Sequence, residues 1–363
     1  MTRTLTLAAG LAAGFVLAAP LAVAQDDPAK KRTQPGSAQS GSVIVSPATQ
    51  AFLDGLEGQP PINSLPPEEA RQVLIDAQTK ADVRMPSASV IEKTLDVGPT
   101  GEVTVQVVRP EGTDEEALPG VVYFHGGGWI LGDFTTHERL MRDLANQTNA
   151  TFVFVEYSPA PEEKHPVQLE QGYAVLEYVA ANADEFGIDA GRLATAGDSV
   201  GGHMVAVTAM MAEEQDGPDI AAHVMFYPVT TADLTTDSYG EFAEGPWLTK
   251  AAMQWFWDAY LPEDADKSDP MISPLAASSA QLGSFAPTLV ITDENDVLRD
   301  EGEEFADKLV QAGVEVEAVR YEHTIHDFVM LNAFTDAPEP RAAIEQAAGF
   351  LKAHLEIEPE SGD

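Results

Sequence analysis

A serine between two glycines is the feature of this 363-residue chain that most directly suggests chemistry. Residues 193–207 read LATAGDSVGGHMVAV, so Ser199 follows a short apolar run and precedes a stretch of helical character. A sharp turn from strand to helix strains the backbone at the serine and crowds the residues two positions away on either side. Gly197 and Gly201 relieve that crowding because they carry no side chain. The pattern predicts that Ser199 Oγ stands in the open beside the positive end of a helix, where it could act as a nucleophile.

Attack by a serine on a carbonyl needs donors for the oxyanion that forms, and a glycine-rich segment upstream could supply them. Residues 124–129, FHGGGW, end an apolar run with three consecutive glycines. We expect the backbone N–H groups of Gly126 and Gly127, together with that of Val200, to form an oxyanion hole. His125 is interpreted as a residue that positions this loop, because it precedes the serine in the chain. A phosphate-binding loop is disfavoured, since no Gly-Lys-Ser/Thr follows the glycines.

The base and the acid that a serine nucleophile needs are expected downstream, at the ends of two further strands. Residues 291–305, ITDENDVLRDEGEEF, offer several acidic side chains, and residues 321–328, YEHTIHDF, offer two histidines. The chain order is therefore serine, acid and histidine. That order suits a parallel sheet, because the carboxyl ends of successive strands converge on one edge. The residues alone leave open which acid and which histidine take part.

An alternation of strands and helical segments would position these groups. Residues 101–110 alternate in polarity, which indicates a strand with one face exposed. A last strand is predicted over 314–323 and a last helix over 339–355. Five other segments are almost continuously apolar, as expected for strands buried on both faces of a parallel sheet: 120–126, 151–157, 192–197, 222–229 and 288–296. Because helical segments separate the strands, the order predicts an α/β fold with a doubly wound, mainly parallel sheet and helices on both faces.

One segment, residues 230–282, interrupts this alternation. Its predicted helix, 248–260, carries four large aromatic side chains, those of Trp255, Phe256, Trp257 and Tyr260. Two interpretations stay open. The aromatic side chains pack the core, or they form a lid, because insertions in α/β sheets collect at the edge where ligands bind.

Composition limits the partners of the chain. It has 20 basic and 59 acidic residues, a formal net charge of −39, so we expect it to bind neither nucleic acid nor an anionic membrane surface. It has no cysteine, which excludes disulfides, thiol nucleophiles and thiolate metal sites.

Both ends of the chain differ from the rest. Residues 1–24 have the character of a secretory signal peptide, with Arg3 before an apolar stretch and Ala22-Val23-Ala24 as a cleavage site. An uncleaved membrane anchor is the alternative, since the stretch approaches the length of a span. We interpret residues 25–47 as a flexible lead-in and 356–363 as an acidic tail. The expected location is outside the cytoplasm, either periplasmic or secreted, without stable membrane insertion once the signal is removed.

Five motifs together resemble the hormone-sensitive-lipase-like family of α/β-hydrolases, which includes many bacterial carboxylesterases. The resemblance implies an α/β-hydrolase fold over residues 48–355, with a helical cap built from 48–82 and 230–282. The motifs are HGGGW at 125–129, EYSPAPEEKHPVQLEQGY at 156–173, GDSVGG at 197–202, NDVLRDEG at 295–302 and HTIHDF at 323–328.

The resemblance also implies a role for three side chains. Ser199 would be the nucleophile, His326 the base and Asp296 the acid, and no metal or cofactor is implied. Three rivals stay open, two for the acid and one for the base: Glu294, Asp300 and His323. The family usually has glycine where Asp327 follows His326 here, and Arg-Leu where Ser158-Pro159 stands here. A carboxylate beside the base could raise its pKa, which leaves the pH optimum open.

The expected reaction is hydrolysis of small, neutral carboxylic esters through an acyl-enzyme on Ser199. A preference for short acyl chains is expected from the resemblance and from the bulk of Trp129 beside the glycines. A deacetylase, lactonase or peptidase with the same triad is the nearer alternative. A non-catalytic ligand receptor on the same fold is an alternative of another class, and association into a homo-oligomer is left open.

Overall fold

One mixed sheet organises the part of the chain that the computed structural model describes, residues 43–113 and 116–357. Eight strands form it: β1 (Ala88–Leu95), β2 (Val103–Pro110), β3 (Leu118–Phe124), β4 (Thr151–Glu156), β5 (Ile188–Asp198), β6 (Ala222–Phe226), β7 (Thr288–Asn295) and β8 (Val316–Ile325). Their order across the sheet is β1-β2-β4-β3-β5-β6-β7-β8. β2 runs antiparallel to both of its neighbours, β1 and β4, and the pairs from β4 to β8 are parallel. The predicted, mainly parallel sheet is confirmed.

Helices cover both faces of this sheet. They are α1 (Pro47–Leu56), α2 (Pro67–Thr79), α3 (Phe134–Thr148), α4 (Val167–Ala181), α5 (Val200–Glu214), α6 (Asp237–Glu241), α7 (Lys250–Tyr260), α8 (Ser279–Leu282), α9 (Arg299–Gln311) and α10 (Pro338–His354). On one face α3 packs against α10, and on the other α5 packs against α4 and α8 while α8 packs against α9. The central strands are buried between these layers, as their continuous apolar runs require.

Two features of the sheet differ from the sequence-based expectation. The strand predicted over 101–110 was expected to have one exposed face, but β2 is buried along almost its whole length. The cause is a neighbour that the sequence pattern did not reveal: β1 pairs with β2 along its length, and α3 packs against it. β1 itself is a partly exposed edge strand whose residues show no regular alternation.

The segments at the two ends of the predicted domain fall partly outside the described residues. The predicted signal peptide, residues 1–24, lies outside them, as do residues 25–42 of the lead-in and 358–363 of the tail. α1 begins at Pro47, where the side chain of Ser46 accepts the N–H of Thr49. None of the helices within residues 43–113 and 116–357 is both long and apolar enough to cross a bilayer.

The helical segment before β1 and the one inserted between β6 and β7 contact each other in space. Phe52 of α1 packs edge-on against Trp247, which precedes α7, with ring centroids 5.1 Å apart. α7 also contacts the short turn at Ile62–Ser64. From α2, Arg71 donates to the carbonyl oxygen of Ile130, in the loop that follows β3. The inserted segment contacts the same loop, because Phe256 of α7 packs against Gly128.

Candidate active site

The turn between β5 and α5 holds Ser199 in a strained backbone conformation, with φ 55° and ψ −119°. The two flanking glycines are required by close approach of the backbone. A Cβ on Gly201 would overlap the carbonyl oxygen of Phe124 in β3, and one on Gly197 would overlap the backbone of Gly201. The strand and the helix can therefore meet this closely only because both positions lack a side chain. The turn leaves Ser199 Oγ at the carboxyl edge of the sheet.

His326, from the loop after β8, connects Ser199 to Asp296, which follows β7. Its Nε2 lies 2.9 Å from Ser199 Oγ, and its Nδ1 lies 2.7 Å from Asp296 Oδ2. The other oxygen of Asp296 accepts the N–H of Leu298 at 3.1 Å. Because an ionised carboxylate only accepts hydrogen bonds, Nδ1 carries the proton and Nε2 is free to accept the hydroxyl of Ser199. The three side chains are buried and form one continuous relay.

The structure places the rival side chains elsewhere. Glu294 accepts the backbone N–H of His323 at 2.7 Å, and the side chain of His323 is half exposed. Asp300 lies in the first turn of α9, where it accepts the N–H of Ser238 and pairs with Arg299. None of these three contacts Ser199.

The surroundings of His326 favour its charged form. Burial lowers the pKa of this imidazole, but the negative charges of Asp296 and Asp327 outweigh that effect and raise it above its ordinary value. Asp327 Oδ1 lies 3.5 Å from Nε2, the nitrogen that faces Ser199. Its other oxygen accepts the indole N–H of Trp247 at 2.8 Å. Asp327 thus contacts both the base, His326, and Trp247 of the inserted segment.

Gly126 does not fit the oxyanion-hole role predicted for it. Its N–H donates to Asp198 Oδ1 at 3.0 Å, so this donor already has an acceptor inside the protein. Within the described residues, the N–H groups of Gly127, Gly128 and Val200 have no protein acceptor. The two loop N–H groups without a protein acceptor are therefore those of Gly127 and Gly128, one residue further along the loop than the predicted pair, Gly126 and Gly127.

Asp198, which the sequence analysis did not single out, anchors this arrangement. It is fully buried and accepts the Tyr123 hydroxyl at 2.8 Å and His137 Nε2 at 3.3 Å, in addition to Gly126. Burial raises the pKa of Asp198, but the charge and hydrogen bonds of His137 and Tyr123 outweigh it and lower the pKa overall. The only sequence signal was an acidic residue directly before the serine, in a segment where a buried charge needs partners.

His125 packs beneath the glycine loop. Its ring stacks on Tyr157 with centroids 4.1 Å apart, and the Tyr157 hydroxyl donates to the His125 carbonyl at 2.8 Å. Burial lowers the pKa of His125 to about 3, so the imidazole is neutral at ordinary pH. These contacts fit a residue that supports the loop.

A family model described as alpha/beta hydrolase fold matches residues 121–330 of the chain. The chain belongs to this family. The resemblance to the hormone-sensitive-lipase-like branch of the α/β-hydrolases is confirmed.

Several of its relatives are named as esterases. Carboxylesterase NlhH of Mycobacterium tuberculosis is 36% identical over 264 residues, which cover 72% of this chain and 82% of that protein. An esterase of Gibberella moniliformis is 33% identical over 85% of this chain and 98% of its own length. The crystal structure of a thermostable esterase from Pseudomonas putida superposes with a TM-score of 0.85 at 45% identity, over 88% of this chain and 100% of the other. This α/β-hydrolase is accordingly an enzyme of the carboxylic ester hydrolase class.

The inserted segment of this hydrolase packs its aromatic helix onto the glycine loop. A Cβ on Gly128, whose φ is 63°, would overlap the ring of Phe256 in α7. Trp129 stacks on Tyr260 with ring centroids 3.9 Å apart and is fully buried. Core packing, one of the two open interpretations, holds for Trp257, Tyr260 and Phe256, which are buried. Phe256 also contacts the loop beside Ser199, and the lid stays a prediction.

The base, His326, and two nearby carboxyl groups, those of Asp293 and Asp296, could in principle share a metal ion. Both ring nitrogens of His326 are already engaged, one with Asp296 and one with Ser199. The donor set therefore suits proton relay better than metal binding.

Proposed function

We propose that this enzyme hydrolyses small, neutral carboxylic esters through an acyl-enzyme formed on Ser199. The observation that carries the proposal is the unbroken relay from Ser199 Oγ through His326 to Asp296, at 2.9 and 2.7 Å. A hydroxyl becomes a competent nucleophile when a neutral base accepts its proton, and that base needs an acid to hold its orientation. The net charge of −39 favours neutral esters over anionic ones.

In the proposed first step, Ser199 Oγ attacks the ester carbonyl and His326 takes its proton. The N–H groups of Gly127, Gly128 and Val200 stabilise the oxyanion, and removal of one such donor typically costs about 3–4 kcal/mol of transition-state stabilisation. His326 then protonates the leaving alcohol, which departs. A water molecule attacks the acyl-enzyme with His326 again as base, and the carboxylic acid is released.

Short acyl chains are the proposed substrates, because aromatic rings approach the reacting groups closely. The Tyr227 ring lies 4.8 Å from that of His326, and Phe256 covers Gly128. Rates across nitrophenyl esters of increasing acyl length test this preference. We expect kcat/KM to fall as the chain lengthens, and faster turnover of long acyl chains would contradict the proposal.

Labelling with a serine-reactive phosphonate tests the nucleophile. We expect one covalent adduct, on the peptide that contains Ser199, and loss of both label and hydrolysis in Ser199→Ala. Ser284→Ala is the matched control, because Ser284 is exposed and its hydroxyl, among the described residues, hydrogen-bonds only to the carbonyl oxygen of Gln281. Labelling that persists in Ser199→Ala would reject the assignment, and a parent protein that takes no label would favour a ligand receptor instead.

We further propose that the chain is exported by its first 24 residues and remains periplasmic or is secreted. Support comes from Arg3, the apolar stretch and the small residues before Gln25. Mass spectrometry of the protein expressed from the full sequence tests this. A mature amino terminus at Gln25 outside the cytoplasm is expected, whereas full-length protein in the membrane fraction would favour an anchor.

A further inference from the structure

A buried carboxyl group with no donor facing it lies behind the proposed catalytic relay. Asp293 is the sixth residue of β7 and is fully buried. Neither of its side-chain oxygens has a hydrogen-bond partner among the described donors. A buried ionised carboxylate without donors is strongly disfavoured, because nothing replaces its lost hydration. The relay described above does not use Asp293.

The neighbours of Asp293 include two members of the relay. One oxygen each of Asp293 and Asp296 and one ring nitrogen of His326 all lie within 4.8 Å of one another. Tyr227, the residue after β6, also faces this group, and its hydroxyl has no hydrogen-bond partner among the described residues. The titratable groups around Asp293 among the described residues thus include Asp296, His326 and Tyr227. On β8 its register partner is Tyr321, whose hydroxyl donates to Gln346.

Two adjacent buried carboxyl groups do not both ionise. Asp296 accepts hydrogen bonds from His326 Nδ1 and from the N–H of Leu298, and both favour its charged form. Asp293 accepts none. Burial and then the charge of Asp296 raise the pKa of Asp293 well above its ordinary value, and a hydrogen bond between the two carboxyl groups acts in the same direction. That bond exists only if one of the two groups carries a proton.

We propose that Asp293 is a positioning residue that stays protonated during catalysis and donates its O–H to Asp296. This proposal rests on the proposed function, in which Asp296 orients His326 as the base. The neutral acid satisfies an acceptor position on Asp296 and helps to fix the plane of that carboxylate. It also ensures that one negative charge, rather than two, faces His326 from the side of β7.

The protonation state of Asp293 has a consequence for the base. A second negative charge near His326 would stabilise its imidazolium further and reduce the fraction that is neutral and able to accept the proton of Ser199. An O–H donor to Asp296 has the opposite effect, because it withdraws charge from the carboxylate that pairs with the imidazolium. Asp293 therefore limits the basicity of His326.

Two substitutions at this position separate charge from hydrogen bonding, with the acid limb of the kcat/KM–pH profile as the readout. Asp293→Asn is neutral and keeps a donor toward Asp296, so its acid limb should lie within about 0.3 pH unit of the parent. Asp293→Ala removes the donor, so its acid limb should move to higher pH and its kcat should fall.

Either of two results would overturn the proposal. A shift of the Asp293→Asn limb to lower pH by about one unit or more would mean that the parent side chain is ionised. Profiles of Asp293→Ala and Asp293→Asn that both coincide with the parent would mean that Asp293 does not act on His326.

An infrared measurement tests the proton without relying on activity or on the Ala variant. An un-ionised carboxylic acid has a carbonyl stretch at higher frequency than the bands of a carboxylate. Because Glu301 is also buried and its pKa is raised by burial, the band is sought in the difference between the spectra of the parent and Asp293→Asn. We expect that difference to contain the band at neutral pH, both in the parent and in a Ser199→Ala background. Its absence from the difference would overturn the proposal even if Ser199 proves to be the nucleophile, and its presence would support Asp293 protonation even if Ser199 does not.

Discussion

The N–H of Gly126 donates to Asp198, the residue directly before the proposed nucleophile, over 3.0 Å. This bond ties the glycine loop after β3 to the turn between β5 and α5. A side chain at position 126 would overlap Asp198 Oδ2, so the contact also explains why glycine stands there. The carboxylate fixes the first glycine of the loop, and the N–H groups of the next two remain for a substrate oxygen.

We predict that Asp198→Ala lowers kcat by about ten- to a hundredfold, because an error of about 1 Å in the placement of oxyanion donors is costly. Tyr123 and Gly126 both donate to Oδ1 and His137 lies against Oδ2, so alanine removes the acceptor of all three groups. The free energy of unfolding should also fall, by about 1–3 kcal/mol for each buried group left without a partner. Steady-state kinetics and urea unfolding measure the two effects.

Tyr123→Phe is the control for this prediction. It removes one donor to Asp198 but leaves the bond from Gly126 intact. We expect kcat close to that of the parent, with only a loss of stability. If Asp198→Ala has the kcat of the parent, Asp198 does not hold the glycine loop.

The grouping of the reacting side chains could be predicted from the sequence because it depends on topology. Strands with long apolar runs form the parallel centre of the sheet, and their carboxyl ends must meet at one edge. Ser199, Asp296 and His326 each follow such a strand or its neighbour, so any parallel arrangement brings them near one another. The bounds of most strands followed from the same apolar runs.

What could not be predicted depends on which way individual groups face. The sequence does not show that Asp198 accepts the N–H of Gly126, so Gly126 was predicted as an oxyanion donor although its N–H already has a protein acceptor. Residues 291–305 contain several acids, and only burial separates Asp293 from the exposed ones. β1 was missed because an edge strand has one partner and half-exposed residues, and therefore a weak pattern.

We predict that Gly201→Ala destabilises the fold by more than the about 1–3 kcal/mol typical of overpacking. The atom that the new methyl group would overlap is the backbone carbonyl of Phe124, which cannot rotate away as a side chain could. Gly349→Ala is the matched control, since no atom lies within 4 Å of its ideal Cβ and it sits in α10. That variant should gain about 0.5–1 kcal/mol.

Denaturant unfolding of both glycine variants gives the comparison. Equal effects of the two substitutions would mean that the close approach of β3 and α5 does not constrain the turn at Ser199.

Asp327→Asn should move the acid limb of the kcat/KM–pH profile to lower pH. The carboxylate lies 3.5 Å from Nε2 of His326 and stabilises the imidazolium, which raises the pKa of the base. Its removal lowers that pKa by an amount on the order of one unit, so a larger neutral fraction is present in mildly acidic solution. Asn still accepts the indole N–H of Trp247 and tolerates the positive φ of this position.

Glu294→Gln controls for net charge in the same experiment. It removes one negative charge from a side chain that contacts His323 rather than His326. We expect its profile to match the parent. Equal shifts in Asp327→Asn and Glu294→Gln would indicate a general effect of net charge instead of a local one.

The contact between Phe256 and Gly128 predicts a coupled pair. Gly128→Ala should reduce kcat strongly, because its φ of 63° disfavours a side chain and the new methyl group would overlap the Phe256 ring. Phe256→Ala opens space beside the glycine loop, so it should raise the relative kcat/KM for longer acyl esters. In the double variant the overlap is absent while the backbone strain remains, and kcat should recover part of the loss. If the loss in kcat of the double variant equals the sum of the two single losses, α7 does not press on the loop. Trp255→Ala is the control for loss of an aromatic side chain from the same helix, because Trp255 directly precedes Phe256 and is partly buried.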